Sequence, residues 1–238
     1  MNGPDYKGKI AEFNRANARE VEHGVPPAKL AKVIEHMNEK GLPADLQDAY
    51  LEHIGSSSKA ALATRWLNHT KSVTRQNVYE KAFYEYAQNV LPDLHISPLP
   101  AKGARALYPL NGEIVSARDC PANQILAKSF DFQVSGESGA ILIATKHTGE
   151  EGGGQDNQFR DLISIGKSAL GMSGDTAVLL IADGPYYDRP TSSTDRVSRI
   201  EFLRRMTADE RQVAAGRGAD LPALISRFRP LLDHGVMQ

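Results

Sequence analysis

Cysteine is nearly absent: Cys120 is the sole one in 238 residues, which excludes an intrachain disulfide and any cysteine-built zinc site and fits a reducing compartment. No apolar run approaches the roughly 18 residues that a membrane-spanning helix needs. The polar start MNGPDYKGKIAEF lacks the apolar segment of a secretory leader, so a cytoplasmic protein with no membrane partner is expected. An excess of one charge is missing too. With 28 Lys and Arg against 29 Asp and Glu, the net charge is -1, so any nucleic-acid face must be a local feature. What is present, 41% hydrophobic and 24% charged residues, suffices for one large folded domain or two small ones. No internal repeat or low-complexity tail occurs.

Up to about residue 91 the pattern is of consecutive helices punctuated by Gly and Pro. PPAKLAKVIEHMNEKG (26–41) opens with prolines, carries Leu30, Val33, Ile34 and Met37 at helical spacing and stops at Gly41. PADLQDAYLEHIG and SSSKAALATRWLNHT repeat that logic, with serines able to cap the second. TRQNVYEKAFYEYAQNVLP sets Val78, Ala82, Tyr86 and Val90 four apart beside Phe83 and ends before Pro92. Residues 1–91 are therefore expected to form a helical N-terminal subdomain, and 92–238 a core with C-terminal helices.

Between Pro92 and Pro121 the segment RALYPLNGEIVSARDCP suggests short strands around a turn at Asn111-Gly112. KSFDFQV and AILIATK, separated by SGESG, then make a hairpin signal. With Gly136 to Gly139 as the loop, Ser135 faces Ala140, and counting along the ladder sets Asp131 opposite Ala144 with Cβ atoms roughly 5 Å apart. Lys146 shares that face, because strand side chains alternate. DNQFRDLISIGKSALG follows as a helix with Phe159, Leu162, Ile163, Gly166, Ala169 and Leu170 along one stripe, Asp156 as its cap and Gly171 as its stop. TAVLLIADGP is a continuous apolar run, the pattern of a strand covered on both faces. Strand, helix, strand implies a right-handed parallel crossover. TDRVSRIEFLRRMTADERQVAAGRG and DLPALISRFRPLL read as arginine-bearing helices. The fold class expected is α/β, with a mixed central sheet flanked by helices and an N-terminal helical layer.

Asp131, the position two before Lys146, and Lys146 itself outline a constellation with chemical meaning. Carboxylates converging at strand ends can hold Mg²⁺, a hard cation that polarises a phosphate and lowers the pKa of bound water. A lysine on the same face can position that water or stabilise charge developing on the phosphate. Hydrolysis of a phosphodiester is the matching reaction.

The succession SFDFQV, ILIATKHTG, the glycine-rich GEEGGGQDNQ, the helix beginning QDNQF and the strand ending LIADGPYYD resembles the PD-(D/E)xK nucleases, and within them type II restriction endonucleases. The resemblance covers roughly residues 125–190. It implies a restriction-endonuclease-like core, Mg²⁺ as cofactor, double-stranded DNA as substrate and a homodimer matching the two-fold symmetry of palindromic targets. On the matching positions it implies that Asp131 binds metal, Lys146 is the motif lysine, and the Thr145 carbonyl is a further ligand. Two positions depart: Ser129-Phe130 stands where a proline is usually written, and Ala144 replaces the central acid.

Since a methyl group cannot bind Mg²⁺, Ala144 has three readings. It is a Glu→Ala substitution that prevents cleavage; or the acid has moved to Asp156 or Asp161 on the following helix; or the chain binds DNA without cutting it. DNA contacts are expected from Gly154, Gln155, Asn157 and Gln158, whose loop and helix N-terminus suit a phosphate and base edges. Lys71 and Arg75, with Lys59 and Arg65 in the same helical stretch, and Lys102 and Arg105 in PAKGARALYP form two further basic groups suited to backbone contacts. Each of these also fits a solvated surface. His147 reads as a surface residue, Trp66 as core, and Glu80 and Glu85 as solvated or as supporting acids.

Overall fold

The computed structural model describes residues 3–23, isolated positions between 35 and 45, and 73–120, 128–148, 155–191 and 196–233. The helices expected at 26–41, 43–55 and 56–70 lie almost wholly outside the described residues, as does Trp66. Contacts divide the chain into two units, one of residues 6–78 and one of residues 1–5 with 79–238. In the first, helix α1 spans Tyr6–His23.

The second unit is built on a five-stranded mixed sheet of order β1-β4-β5-β6-β7. Helix α2 (Val73–Val90) leads into β1 (His95–Pro98), a short strand unforeseen in the sequence. A separate hairpin, β2 (Leu107–Leu110) and β3 (Glu113–Ser116), follows, turning where expected: Asn111 and Gly112 have φ of 52° and 80°, as a type I′ turn requires. The strand β4 (Phe132–Ser135) then runs antiparallel to both β1 and β5 (Ala140–His147). The expected register is found, with Ser135 opposite Ala140 and Phe132 opposite Ile143.

Helix α3 (Gln155–Ala169) carries the chain over to β6 (Thr176–Asp183), parallel to β5 along all eight residues. Phe159, Leu162, Ile165, Gly166 and Ala169 form the buried face of α3, while Ile163 and Leu170 of the expected stripe are half-buried. Asp156 lies in the first turn and is not the cap. A 3-10 turn (Pro185–Asp188), α4 (Arg199–Met206), β7 (Val213–Gly216), a second 3-10 turn (Gly218–Asp220) and α5 (Leu221–Leu232) complete the chain. Here the expectation of helix through 194–218 fails in its second half. VAAG is a fully buried strand parallel to β6, because pairing with an already formed strand outweighs alanine's helix propensity.

Alternation sorts the sheet into two faces. Leu142, Ala144, Val178, Leu180 and Ala182 join Phe159, Leu162 and Ile165 of α3 and Ile200 and Leu203 of α4 in one apolar cluster. Ile141, Ile143, Leu179 and Ile181 are buried on the other face, where α5 contacts the sheet and Phe83 of α2 stacks on Phe132 at 5.4 Å. Each such Leu, Ile or Phe contributes about 1.5–3 kcal/mol, which makes β5 and β6 a rigid base for whatever projects from their carboxyl ends.

Candidate active site

Asp131 immediately precedes β4: its N–H donates to Ile143 O at 2.9 Å, and its own carbonyl accepts from Leu99 N–H at 2.9 Å. The β4–β5 register ends at Phe132 opposite Ile143, and the Asp131 N–H goes to that same Ile143, so the ladder is offset at Asp131 as in a β-bulge and the expected pairing of Asp131 with Ala144 is not made. Its Oδ2 accepts the Thr145 N–H at 2.7 Å and lies 3.5 Å from Lys146 Nζ. Both side chains are largely sheltered, 14% exposed for Asp131 and 12% for Lys146. Burial pushes the Asp131 carboxyl above its usual range in spite of the Lys146 ammonium and the Thr145 amide, and the charge of Asp161 adds to that push.

Ala144 is fully buried within the apolar cluster that includes Phe130 and Leu142 from the sheet and Phe159 and Leu162 from the helix above. Asp161, half-buried on α3, is the helical carboxylate that Asp131 senses. Asp156 is engaged elsewhere: it accepts the Tyr186 hydroxyl and lies 3.8 Å from Arg199 Nη2. Among the described residues, no group of three His, Cys, Asp or Glu side chains could hold a metal.

His147 points to the opposite face from Lys146 by alternation and packs against Tyr79 with ring centroids 4.2 Å apart and ring planes tilted by 34°. Burial, and then the charge of Arg217, lower its pKa to about 4, so it is neutral at neutral pH. Gly184, just beyond β6, has φ 98°, and a Cβ there would stand 2.2 Å from Thr148 O. That close approach holds the end of β5 against the end of β6, where Thr148 N–H also donates to Asp183 O at 2.9 Å.

The loop between β1 and β2 is anchored at the same place. Ser129 Oγ donates to Ala101 O at 3.2 Å and Phe130 N–H to Leu107 O at 3.0 Å, so the segment that carries Asp131 also holds the loop that exposes Lys102 and Arg105. Asn157 is exposed, whereas Gln158 is half-buried and accepts the Thr148 hydroxyl at 2.6 Å, which occupies a side chain expected at base edges. Gln155 begins α3 and Arg75 lies on α2; their side chains, and Lys59, Arg65, Lys71 and Gly154, lie outside the described residues. Glu85 is 3.9 Å from Lys81 on the helix surface.

The sequence reading missed one cluster at this carboxyl edge, in which Arg199 lies over the Tyr186 ring at 4.1 Å and beside Asp156. The aromatic pair in GPYYD and the arginines after it were the available signal.

No described protein family and no curated protein sequence matches the chain. Among solved structures it is similar to the crystal structure of protein VC1899 from Vibrio cholerae, at 13% identity and a TM-score of 0.33 over 97% of this chain. The likeness spans 58% of that protein's length and is too loose to assign a fold or an activity.

Proposed function

We propose that the chain is a site-specific endonuclease of the PD-(D/E)xK kind, acting on phosphodiester bonds of double-stranded DNA with Mg²⁺ and working as a homodimer. The observation that carries this reading is the sheltered Asp131–Lys146 pair beside the carboxyl end of β5. Support comes from the sheet around it: β1, β4 and β5 pair antiparallel, with the separate β2–β3 hairpin inserted between β1 and β4, and a helix then leads to β6 parallel to β5. Asp131 would hold the ion, together with the Thr145 carbonyl and an acid at position 144. Mg²⁺ supplies Lewis-acid polarisation of the phosphate and a more acidic bound water. Lys146, on the same face, is suited to orient that water and to meet charge developing on the phosphate. The exposed Lys102 and Arg105 on the anchored loop would position the duplex through its backbone.

With Ala144 in the central position the site lacks one carboxylate, so the chain binds duplex and cuts little. A second reading, favoured by the charge coupling of Asp161 to Asp131, has Asp161 supply the missing acid. The test compares the chain, Ala144→Glu and Asp161→Asn on long unmethylated DNAs in Mg²⁺, with binding measured in Ca²⁺. Discrete fragments from Ala144→Glu alone support the first form. Fragments from the parent that vanish with Asp161→Asn support the second. Binding without fragments from any variant leaves a DNA-binding protein on a degenerate nuclease core, and no binding refutes both.

A further inference from the structure

Arg199 is sheltered against two aromatic rings with part of its hydrogen-bonding capacity unused. It occupies the first position of α4, where the helix macrodipole disfavours a cation. Its guanidinium is positioned by stacking, 4.1 Å from the Tyr186 ring centroid and 5.8 Å from that of Phe159. Yet its donors are poorly used: Nε is buried with no hydrogen-bond partner, and Nη2 is 3.8 Å from Asp156 Oδ1, beyond hydrogen-bond reach. A sheltered donor left unsatisfied costs about 1–3 kcal/mol and calls for an explanation. Asp156, by contrast, is 63% exposed and held by the Tyr186 hydroxyl, and its carboxylate lies too far from Arg199 Nη2 to bond it.

A second observation lies on the same short excursion. Pro190 bridges Ser198, Thr191 N–H donates to Val197 O at 3.1 Å, and Arg199 N–H donates to Arg189 O at 2.9 Å, so the two arms are tied together. Arg196 on the returning arm is exposed and makes no ion pair among the described residues. From residue 168 onward the chain carries nine arginines and no lysine, the choice that suits planar, forked recognition of oxyanions. This excursion follows directly from the carboxyl end of β6, whose last residue pairs with His147 next to Lys146.

We propose that Arg199 and Arg196 form a seat for backbone phosphates of the duplex, in which Asp156 is the carboxylate that occupies the place of the phosphate until DNA arrives. The inference rests on the nuclease reading and adds to it a group of backbone contacts separate from Lys102 and Arg105. Stacking keeps the guanidinium plane fixed, so little side-chain freedom is lost when a phosphate replaces the carboxylate.

The test is a cycle read as duplex binding in Ca²⁺ over a range of salt. Asp156→Asn, which keeps the shape that receives the Tyr186 hydroxyl, is expected to tighten binding about fivefold at low salt. In an Arg199→Gln background the gain disappears, with Arg199→Lys as the alternative background if Gln does not fold. Arg196→Gln lowers the slope of log K against log salt by about 0.9, one phosphate's worth. A gain that persists without Arg199, no gain at all, or an unchanged slope for Arg196→Gln overturns the seat while leaving the nuclease reading intact. A parent chain that does not retain duplex even at low salt overturns both.

Discussion

Placing Glu at position 144 tests whether this is a metal site with a missing ligand or an apolar core that happens to adjoin an ion pair. Ala144 is fully buried among Phe130, Leu142, Phe159 and Leu162, and Asp131, whose carboxylate accepts the N–H of the next residue, Thr145, has its carboxyl already pushed toward the protonated form. A second carboxylate there is buried without a cation, repels Asp131 and overfills the gap beneath α3. The combined cost is about 3–5 kcal/mol, and at about 2–4 °C per kcal/mol for a chain of this size the melting temperature falls by roughly 6–20 °C. If the two acids form the intended site, a divalent ion binds the folded state alone, and a hundredfold excess over its dissociation constant returns about 2.7 kcal/mol. The assay is thermal melting of the parent, Ala144→Glu and Ala144→Glu/Asp131→Asn, each with and without Mg²⁺ or Ca²⁺. The expected pattern is a small response for the parent, a recovery of several degrees for the single variant, and its loss in the double variant. An Ala144→Glu protein that folds, yet melts at the same temperature with and without either ion, would falsify the reading of position 144 as a ligand position.

Three further outcomes follow from the same geometry. Asp131 in the folded chain holds its proton more tightly than in the unfolded one, so its contribution to stability is complete below the ordinary carboxylate pKa and is lost as pH rises through the raised native value; the melting temperature of Asp131→Asn minus that of the parent should therefore grow from acidic toward neutral pH, and a flat difference counts against the burial argument. Gly184→Ala combines a φ of 98° with a Cβ 2.2 Å from Thr148 O, so a loss of about 3 kcal/mol or more is expected, read by denaturant unfolding, with an unchanged midpoint as the contrary result. Lys102→Gln and Arg105→Gln should each reduce the salt slope of duplex binding by about 0.9 without altering which sequence is preferred; a changed preference would mean that these residues read bases.

What was legible in the sequence follows the range over which each signal acts. The β4–β5 hairpin was open to reading because Gly136 to Gly139 bound its loop and a period of two then fixes the partners from Ser135–Ala140 to Phe132–Ile143; counting one step further, to Asp131 against Ala144, failed because the Asp131 N–H bonds to Ile143 O and offsets the ladder there. The strand β6 was legible because seven consecutive buried positions, Ala177 to Asp183, need a sheet covered on both sides. HISP and VAAG were not, since four residues hold too little periodicity and only pairing with β4 and β6 makes them strands. The same distinction divides the candidate site. Asp131 and Lys146 meet across a single tight turn, whereas Tyr186 reaches Asp156 across 30 positions and Arg199 reaches the same carboxylate from the start of another helix. Such contacts depend on how α3 and α4 pack over the sheet, which in turn depends on the small side chain at 144 beneath α3. Residue 144 packs against Phe159 and Leu162 of α3 and Ile200 of α4, so an acid introduced there should also alter the salt dependence of duplex binding if the two arginines share the same phosphate track.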